Sequence, residues 1–244
     1  MSGHSKWSTI KRKKEKTDGA RAKVFTKISR EIIVAVREGG GDPNNNSKLR
    51  DLISKAKSNN IPNDNIDRLI KKAVGDGDKN NYESIVYEGY GPSGVAVMVD
   101  ALTDNRNRTA GDLRHYFDKF GGNLGQNGCV SFLFERKGLV IVNNEEGGIS
   151  EEKFMEDLME TPAGDYEFDD DVIEVYTDPD DLSAVREGLE GKGYRLESAE
   201  VEYIATTETK LEDEEDVQKM ERLLEMLEDN DDVQNVWHSC SNVD

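Results

Sequence analysis

The sequence has no long apolar segment and few of the residues that disulfide scaffolds or metal sites require. Its 244 residues include only two cysteines, Cys129 and Cys240, which are far apart and outside any CxxC pair. A disulfide framework and a thiolate metal site are therefore not indicated, and we expect a reduced, cytoplasmic setting. There is no run of about 18 apolar residues, so the sequence predicts no transmembrane helix and no membrane partner. The basic N-terminal residues are not followed by an apolar region, so we expect neither a signal peptide nor a transit peptide.

Motifs for catalysis are also missing. The sequence has no GxxxxGK[ST] phosphate loop and no HExxH pair. His4, His115 and His238 lie in different segments without ligand spacing, and neither cysteine has a neighbouring histidine to activate it. The acidic run at 169–171 lacks the spacing of a calcium loop and is interpreted as a solvated turn. The sequence therefore predicts a protein that is not an enzyme and has no cofactor and no metal site.

Charge is plentiful but unevenly distributed. The chain has 32 Lys and Arg against 51 Asp and Glu, a net charge of −19. Residues 1–80 nevertheless contain 19 basic and 10 acidic residues, whereas residues 138–244 contain 7 basic and 34 acidic residues. A basic front end on an acidic chain indicates a polyanionic partner, although a solvated basic tail balanced by acidic helices is the simpler alternative.

The pattern in residues 1–80 predicts a small basic helical domain. Apolar residues recur at intervals of three and four in three segments, as on one face of an amphipathic helix. The first segment runs from Asp18 to about Glu38, and the second is expected to be capped by Ser47.

The remaining residues predict an α+β fold. Alternating strands and helices form a middle domain at 81–136 plus 204–244, in which residues 130–135 are expected to be a strand with Phe132 and Phe134 on one face. Residues 137–203 have the βαββαβ order of a ferredoxin-like, split βαβ unit and are strongly acidic. We therefore expect a helical N-terminal domain plus two α+β domains, with the third inserted in the second.

The basic arm at 1–16 is the first candidate nucleic-acid contact. Lysine and arginine neutralise phosphates without reading sequence, and an indole stacks on unpaired bases. Trp7 has two open interpretations: it stacks on a base, or it anchors the arm on the helical domain. The residues concerned are Lys6, Trp7, Lys11, Arg12, Lys13, Lys14 and Lys16.

A second set of candidates follows the arm. Arg21, Lys23, Lys27 and Arg30 continue the positive charge along the first helix, and the last three share one helical face. Arg106 and Arg108 lie at a helix N-terminus in the loop at 103–109, an arrangement that attracts phosphate. The alternative for this loop is an ordinary capped turn whose arginines pair with local acids.

Seven motifs in order along the chain resemble the YebC/PmpR family. They are GHSKW at 3–7, FTK at 25–27, GGGDP at 39–43, NDNI at 63–66, YEGYGP at 87–92, LTDNRNRT at 102–109 and GGNLG at 121–125. The resemblance implies a three-domain, cytosolic, non-enzymatic regulator of gene expression. Bacterial members are described as DNA-binding transcriptional regulators, and relatives that include a mitochondrial translational activator act on translation at the ribosome.

Three functions are consistent with these patterns. The basic domain binds duplex DNA and regulates transcription, although no clear helix-turn-helix recognition helix is present. Alternatively, the arm and the arginine loop bind structured RNA on the ribosome, and the protein is a translation factor. A third interpretation is a protein-interaction module whose acidic domain recruits basic proteins.

Overall fold

The computed structural model of the protein describes Trp7 and residues 18–75 and 81–243. These residues form helices and two four-stranded antiparallel sheets, which confirms the predicted α+β fold class. The described chain divides into two compact units. The first unit contains residues 18–75, 81–131 and 209–243, and the second contains Trp7 and residues 132–208. Among the described helices, none is both long enough and apolar enough to cross a membrane.

Three amphipathic helices begin the first unit: α1 (Asp18–Gly39), α2 (Ser47–Ser58) and α3 (Asn63–Val74). Their apolar faces bury one another, with Ile32, Leu49 and Ile66 at the centre. The predicted cap of α2 is wrong by one residue, because Asn46 occupies the cap position and its Oδ1 accepts the Leu49 N–H at 3.0 Å. The Asn46 amide also donates to the carbonyl oxygens of Ala35 and Gly40, so one buried side chain joins the end of α1 to the start of α2.

The first sheet completes this unit. Its strands are β1 (Glu83–Tyr90), β2 (Ala96–Thr103), β3 (Asn123–Leu124) and β8 (Val233–His238), in the order β3-β1-β2-β8. Helices α4 (Arg106–Lys119) and α7 (Glu214–Asp229) pack on it through a core that includes Val97, Phe117 and Leu223. Strand β8 follows residues 132–208 in sequence and pairs with β2. The first sheet is therefore built from residues that precede and residues that follow the second unit in the chain.

The second unit has the predicted βαββαβ order. It consists of β4 (Phe134–Asn143), α5 (Glu151–Leu158), β5 (Asp165–Phe168), β6 (Val172–Thr177), α6 (Leu182–Gly191) and β7 (Leu196–Ala205). The strand order β5-β6-β4-β7 is the ferredoxin-like arrangement. Both helices pack on one face of the sheet, where Phe154 of α5 and Val185 and Leu189 of α6 meet Val140 and Val175.

The predicted strand at 130–135 is wrong except for its last two residues, which belong to β4. Residues Ser131–Leu133 form a short 3₁₀ turn, and the chain then enters β4, which is continuous to Asn143. Phe132 is 70% exposed and Phe134 only 7%, so the two rings do not share a face. A turn interrupts the alternation of side chains that a strand would impose. The residue limits of the three predicted domains stay a prediction.

Candidate nucleic-acid interface

Most of the predicted basic arm lies outside the described residues. The structure describes the backbone of Arg21, which belongs to α1, but not its side chain. The arm candidates concerned are Lys6, Lys11, Arg12, Lys13, Lys14 and Lys16. Their role as phosphate contacts stays a prediction from the sequence.

Trp7 is buried in the second unit, with only 5% of its surface exposed. Its indole packs on Leu139, Ile141 and Val172, and Nε1 donates to Asp171 Oδ2 at 3.4 Å. Because Leu139 and Ile141 alternate with the core residues of β4, this is the sheet face opposite α5 and α6. The burial fits the anchor interpretation, but the expectation that the anchor lies on the helical domain is wrong. Stacking of this indole on a base requires it to leave the sheet.

The sheet face that holds Trp7 also carries buried acids. Glu174 and Glu202 lie on this face and are 1% and 4% exposed. Tyr176 Oη donates to Glu174 Oε2 at 2.8 Å, and burial, together with the Glu174 carboxylate, raises the pKa of Tyr176 above its ordinary value. The sheet face that buries the indole is therefore mixed, apolar at Leu139, Ile141 and Val172 and acidic at Glu174 and Glu202.

Three cations of α1 face an acidic turn at 228–232, at the end of α7. Lys23 Nζ lies 2.9 Å from Asp229 Oδ1, and Lys27 Nζ donates to the Glu228 carbonyl oxygen at 2.7 Å. Arg30 donates to the carbonyl oxygens of Leu102 and Asp231. The predicted common face of Lys23, Lys27 and Arg30 therefore exists, but in this structure it is turned toward acids of the same unit.

Asp232 joins α1 to the arginine loop. This carboxylate is 4% exposed. Its Oδ1 accepts from Arg30 Nη1 at 2.7 Å, and its Oδ2 accepts from Arg108 Nη2 and Thr109 Oγ1, both at 2.7 Å. Burial raises the pKa of Asp232, but the hydrogen bonds from Arg108, Thr109 and Arg30 outweigh burial and hold it below the ordinary value. The structure thus brings together two candidate sites that are far apart in sequence.

The loop at 103–109 is a capped turn. Asn105 Oδ1 accepts the Arg108 N–H at 3.1 Å, and the Arg108 guanidinium also lies 3.0 Å from Asp104 Oδ1. For Arg108 the structure therefore shows the local pairing that was the alternative to phosphate contact. Arg106 differs, since its side chain is exposed and, within the described part of the chain, forms no ion pair.

The cations of α2 and α3 are not among the candidate contacts predicted from the sequence. Arg50, Lys57, Arg68 and Lys71 are exposed, and none forms an ion pair among the described residues. For the two on α2 a signal was present in the sequence, since neither has an acid three or four positions away. On α3 the sequence misleads, because Asp64 and Asp67 lie four positions before Arg68 and Lys71 yet do not pair with them.

Known proteins match almost the full chain. The family model described as TACO1/YebC protein N-terminal domain matches residues 5–76, and the one described as TACO1/YebC second and third domain matches residues 82–240. A probable transcriptional regulatory protein of Ruminiclostridium cellulolyticum is 58% identical over 239 residues, covering 98% of this chain and 96% of that protein. One from Finegoldia magna is 55% identical over 242 residues, covering 99% and 100%. The crystal structure of a conserved hypothetical protein from Aquifex aeolicus has a TM-score of 0.84 and 46% identity, covering 93% of this chain and 92% of that one.

Proposed function

This chain belongs to the TACO1/YebC family, and from that membership we propose that it is a non-enzymatic, nucleic-acid-binding regulator of gene expression. Its partner is duplex DNA, and it regulates transcription in the cytoplasm. Relatives that cover nearly the whole chain are named probable transcriptional regulatory proteins, which supports this choice. The observation that carries the proposal is the excess of basic residues in 1–80 on a chain whose net charge is −19.

Within this proposal the arm makes the main contacts. Lys11 to Lys14 are four consecutive cations, and each phosphate that they neutralise releases a counterion from DNA. Arg106 adds an exposed guanidinium beside the N-terminus of α4. Lys23, Lys27, Arg30 and Arg108 contribute less, since phosphate contact would compete with the carboxylates and carbonyls that they already bind.

The acidic residues of 138–203 assist by repulsion. This acid-rich part of the chain is driven away from a phosphate backbone, whereas the acids at 228–232 pair with cations of α1. Repulsion of one part of the chain orients the basic part toward the DNA, and it suppresses wrong binding modes more than it changes affinity.

Fluorescence anisotropy with a labelled duplex of mixed sequence tests the proposal. If about five phosphates are contacted, log affinity falls against log salt concentration with a slope of about −4.5. Reversing Lys11, Arg12 and Lys13 to Glu should remove more than half of that slope. A slope near zero for the unmodified chain would refute contact through cations.

The control for net charge reverses three cations elsewhere. Arg195, Lys210 and Arg222 lie within residues 138–244 and are exposed. Reversing them to Glu changes the net charge by the same amount and should leave the salt slope unchanged. If both variants lose the same amount of salt slope, binding depends only on the total charge of the protein.

Nuclease treatment of the protein captured from cells separates DNA from RNA. Association that survives ribonuclease and is lost with deoxyribonuclease supports regulation at the promoter. Association lost with ribonuclease alone would replace the transcription proposal by the translation-factor alternative.

A further inference from the structure

We infer that the helical part of the first unit contacts DNA through α2 and α3 rather than through α1. The surface consists of four side chains, Arg50 and Lys57 on α2 and Arg68 and Lys71 on α3, which we call the outer cations. Their partner is the phosphate backbone of duplex DNA. This inference rests on the proposed function and assigns it a surface that the family match does not specify.

The first argument is that the cations of the helices fall into two groups. Lys23 and Arg30 of α1 lie 2.9 and 2.7 Å from carboxylate oxygens of Asp229 and Asp232. On α2, Lys48 pairs with Glu38 at 3.0 Å and Lys55 with Glu31 at 3.6 Å, so both of those cations are also compensated locally. The outer cations are exposed and, over residues 18–75 and 81–243, have no acid within ion-pair distance.

The second argument concerns what a phosphate must displace. The Arg30 side chain is 18% exposed, and that of Asp232 is 5% exposed. Drawing Arg30 to a phosphate would leave a buried carboxylate without one of its charge partners, which is strongly unfavourable. An outer cation exchanges only water and mobile ions, so its full charge is available to release counterions from DNA.

The third argument is the surface that the helices leave open. Leu49, Leu52 and Ala56 of α2 and Ile66 of α3 are turned inward and buried. Arg50 and Lys57 are seven positions apart, which repeats the same helix face after about two turns, roughly 10.5 Å along the axis. Arg68 and Lys71 are three apart and also adjacent on their helix surface. Each helix therefore presents a pair of uncompensated cations to solvent.

The test measures duplex DNA affinity of the full chain over a salt series. One variant carries Arg50→Gln and Lys57→Gln, and a second carries Arg68→Gln and Lys71→Gln. Each should weaken binding about tenfold near 0.1 M salt and reduce the magnitude of the salt slope by about 0.9, the contribution of one lost phosphate contact. Unchanged circular dichroism and Tm would establish that both variants fold.

The matched control is Lys48→Gln with Lys55→Gln. It removes two charges from the same helix α2, but from cations that are paired with Glu38 and Glu31. We expect less than a threefold loss and an unchanged salt slope. If this control loses as much affinity as the Arg50 and Lys57 variant, the outer cations act only through net charge and the inference is overturned.

Two further outcomes separate this inference from the proposed function. If the unmodified chain binds DNA with a steep salt slope and both outer-cation variants match it, the function stands and the assigned surface is wrong. If the unmodified chain binds single-stranded or duplex RNA of the same length in preference to DNA, the assignment to DNA is overturned, because the same cations would then serve a different nucleic acid.

Discussion

Trp7 has two predicted roles that need opposite surroundings. An indole that stacks on bases must be exposed before the nucleic acid arrives, whereas an anchor must be buried. The structure places it among Leu139, Ile141 and Val172 at 5% exposure. At the scale of a single residue, burial therefore favours the anchor.

Fluorescence checks this assignment. In a Trp237→Phe variant Trp7 is the only tryptophan, since the chain has two. We expect blue-shifted emission and weak quenching by iodide, because the indole is covered by apolar side chains. Saturating duplex DNA should change neither property. Strong quenching on addition of nucleic acid would instead support base stacking.

Glu88 provides a prediction for pH. Its carboxylate accepts the backbone N–H groups of Gly128, Val130 and Ser131 at 2.7–2.8 Å. Burial raises the pKa of Glu88, but these backbone hydrogen bonds outweigh burial and leave the pKa below the ordinary value of 4.5. The ionised form is therefore the one that stabilises the fold.

Glu88→Gln should lower the free energy of unfolding by about 1.5–3 kcal/mol at neutral pH, because a neutral amide accepts these N–H groups less strongly. A group with a lowered folded pKa stabilises above its ordinary pKa, and this contribution is lost as pH falls through the folded value. The difference between the two proteins should therefore shrink from pH 6 to pH 3 in urea titrations. A difference that grows in acid would contradict the assignment.

At the scale of elements, the backbone that follows α4 lies very close to the backbone at the end of β1. A Cβ on Gly122 would overlap the Tyr90 carbonyl oxygen and lie 3.0 Å from the Gly91 Cα. Because β3 begins at Asn123 and pairs with β1 at Tyr90, this contact sets how the short strand joins the sheet.

Gly122→Ala should therefore destabilise the first unit by about 1–3 kcal/mol, the usual range for overpacking. Gly111 is the matched control, since it lies within α4 and its Cβ would meet no atom within 4 Å. Gly111→Ala should stabilise by about 0.5–1 kcal/mol through helix propensity. Urea denaturation measures both, and equal effects of the same sign would contradict the close-approach argument.

The second prediction at this scale concerns Asp232, which connects α1 to the loop at 103–109. Asp232→Asn keeps the shape of the side chain but removes the charge that holds Arg30 and Arg108. We expect the free energy of unfolding to fall by about 2–4 kcal/mol, since a buried pair loses one partner. Amide hydrogen exchange in α1 should also become faster.

Asp231→Asn is the control for this joint. Asp231 is exposed and contacts Arg30 through its backbone carbonyl, which the substitution retains. Its effect should stay within about 0.5 kcal/mol, as for other surface changes. If both variants lose the same stability, the Asp232 carboxylate is not the group that matters.

At the scale of the whole molecule, the net charge of −19 opposes folding through self-repulsion. Raising NaCl from about 0.02 M to about 0.5 M shortens the Debye length to a few ångströms and screens this repulsion. We expect the apparent Tm to rise by about 2–4 °C, and KCl should act equally. A fall in Tm would show that attractive ion pairs dominate over the repulsion.

The local spacing of apolar residues was sufficient to predict most of the fold. The three helices of residues 18–75 and the βαββαβ order follow from apolar periodicity, which depends on neighbours within a few positions. It was insufficient at residues 131–133, where alternating apolar residues lie in a turn. Periodicity over so few residues does not distinguish a strand from a turn.

The amino-acid sequence by itself determined the class of fold, the family resemblance and the division into a basic front and an acidic rear, because these depend on composition and short-range spacing. Only the tertiary structure decided which cations are compensated and which are open. Arg30 meets an acid 202 positions away, and Trp7 meets one 164 positions away. These partners come together only when segments that are distant in sequence pack against each other. The spacing of neighbouring residues therefore does not predict them.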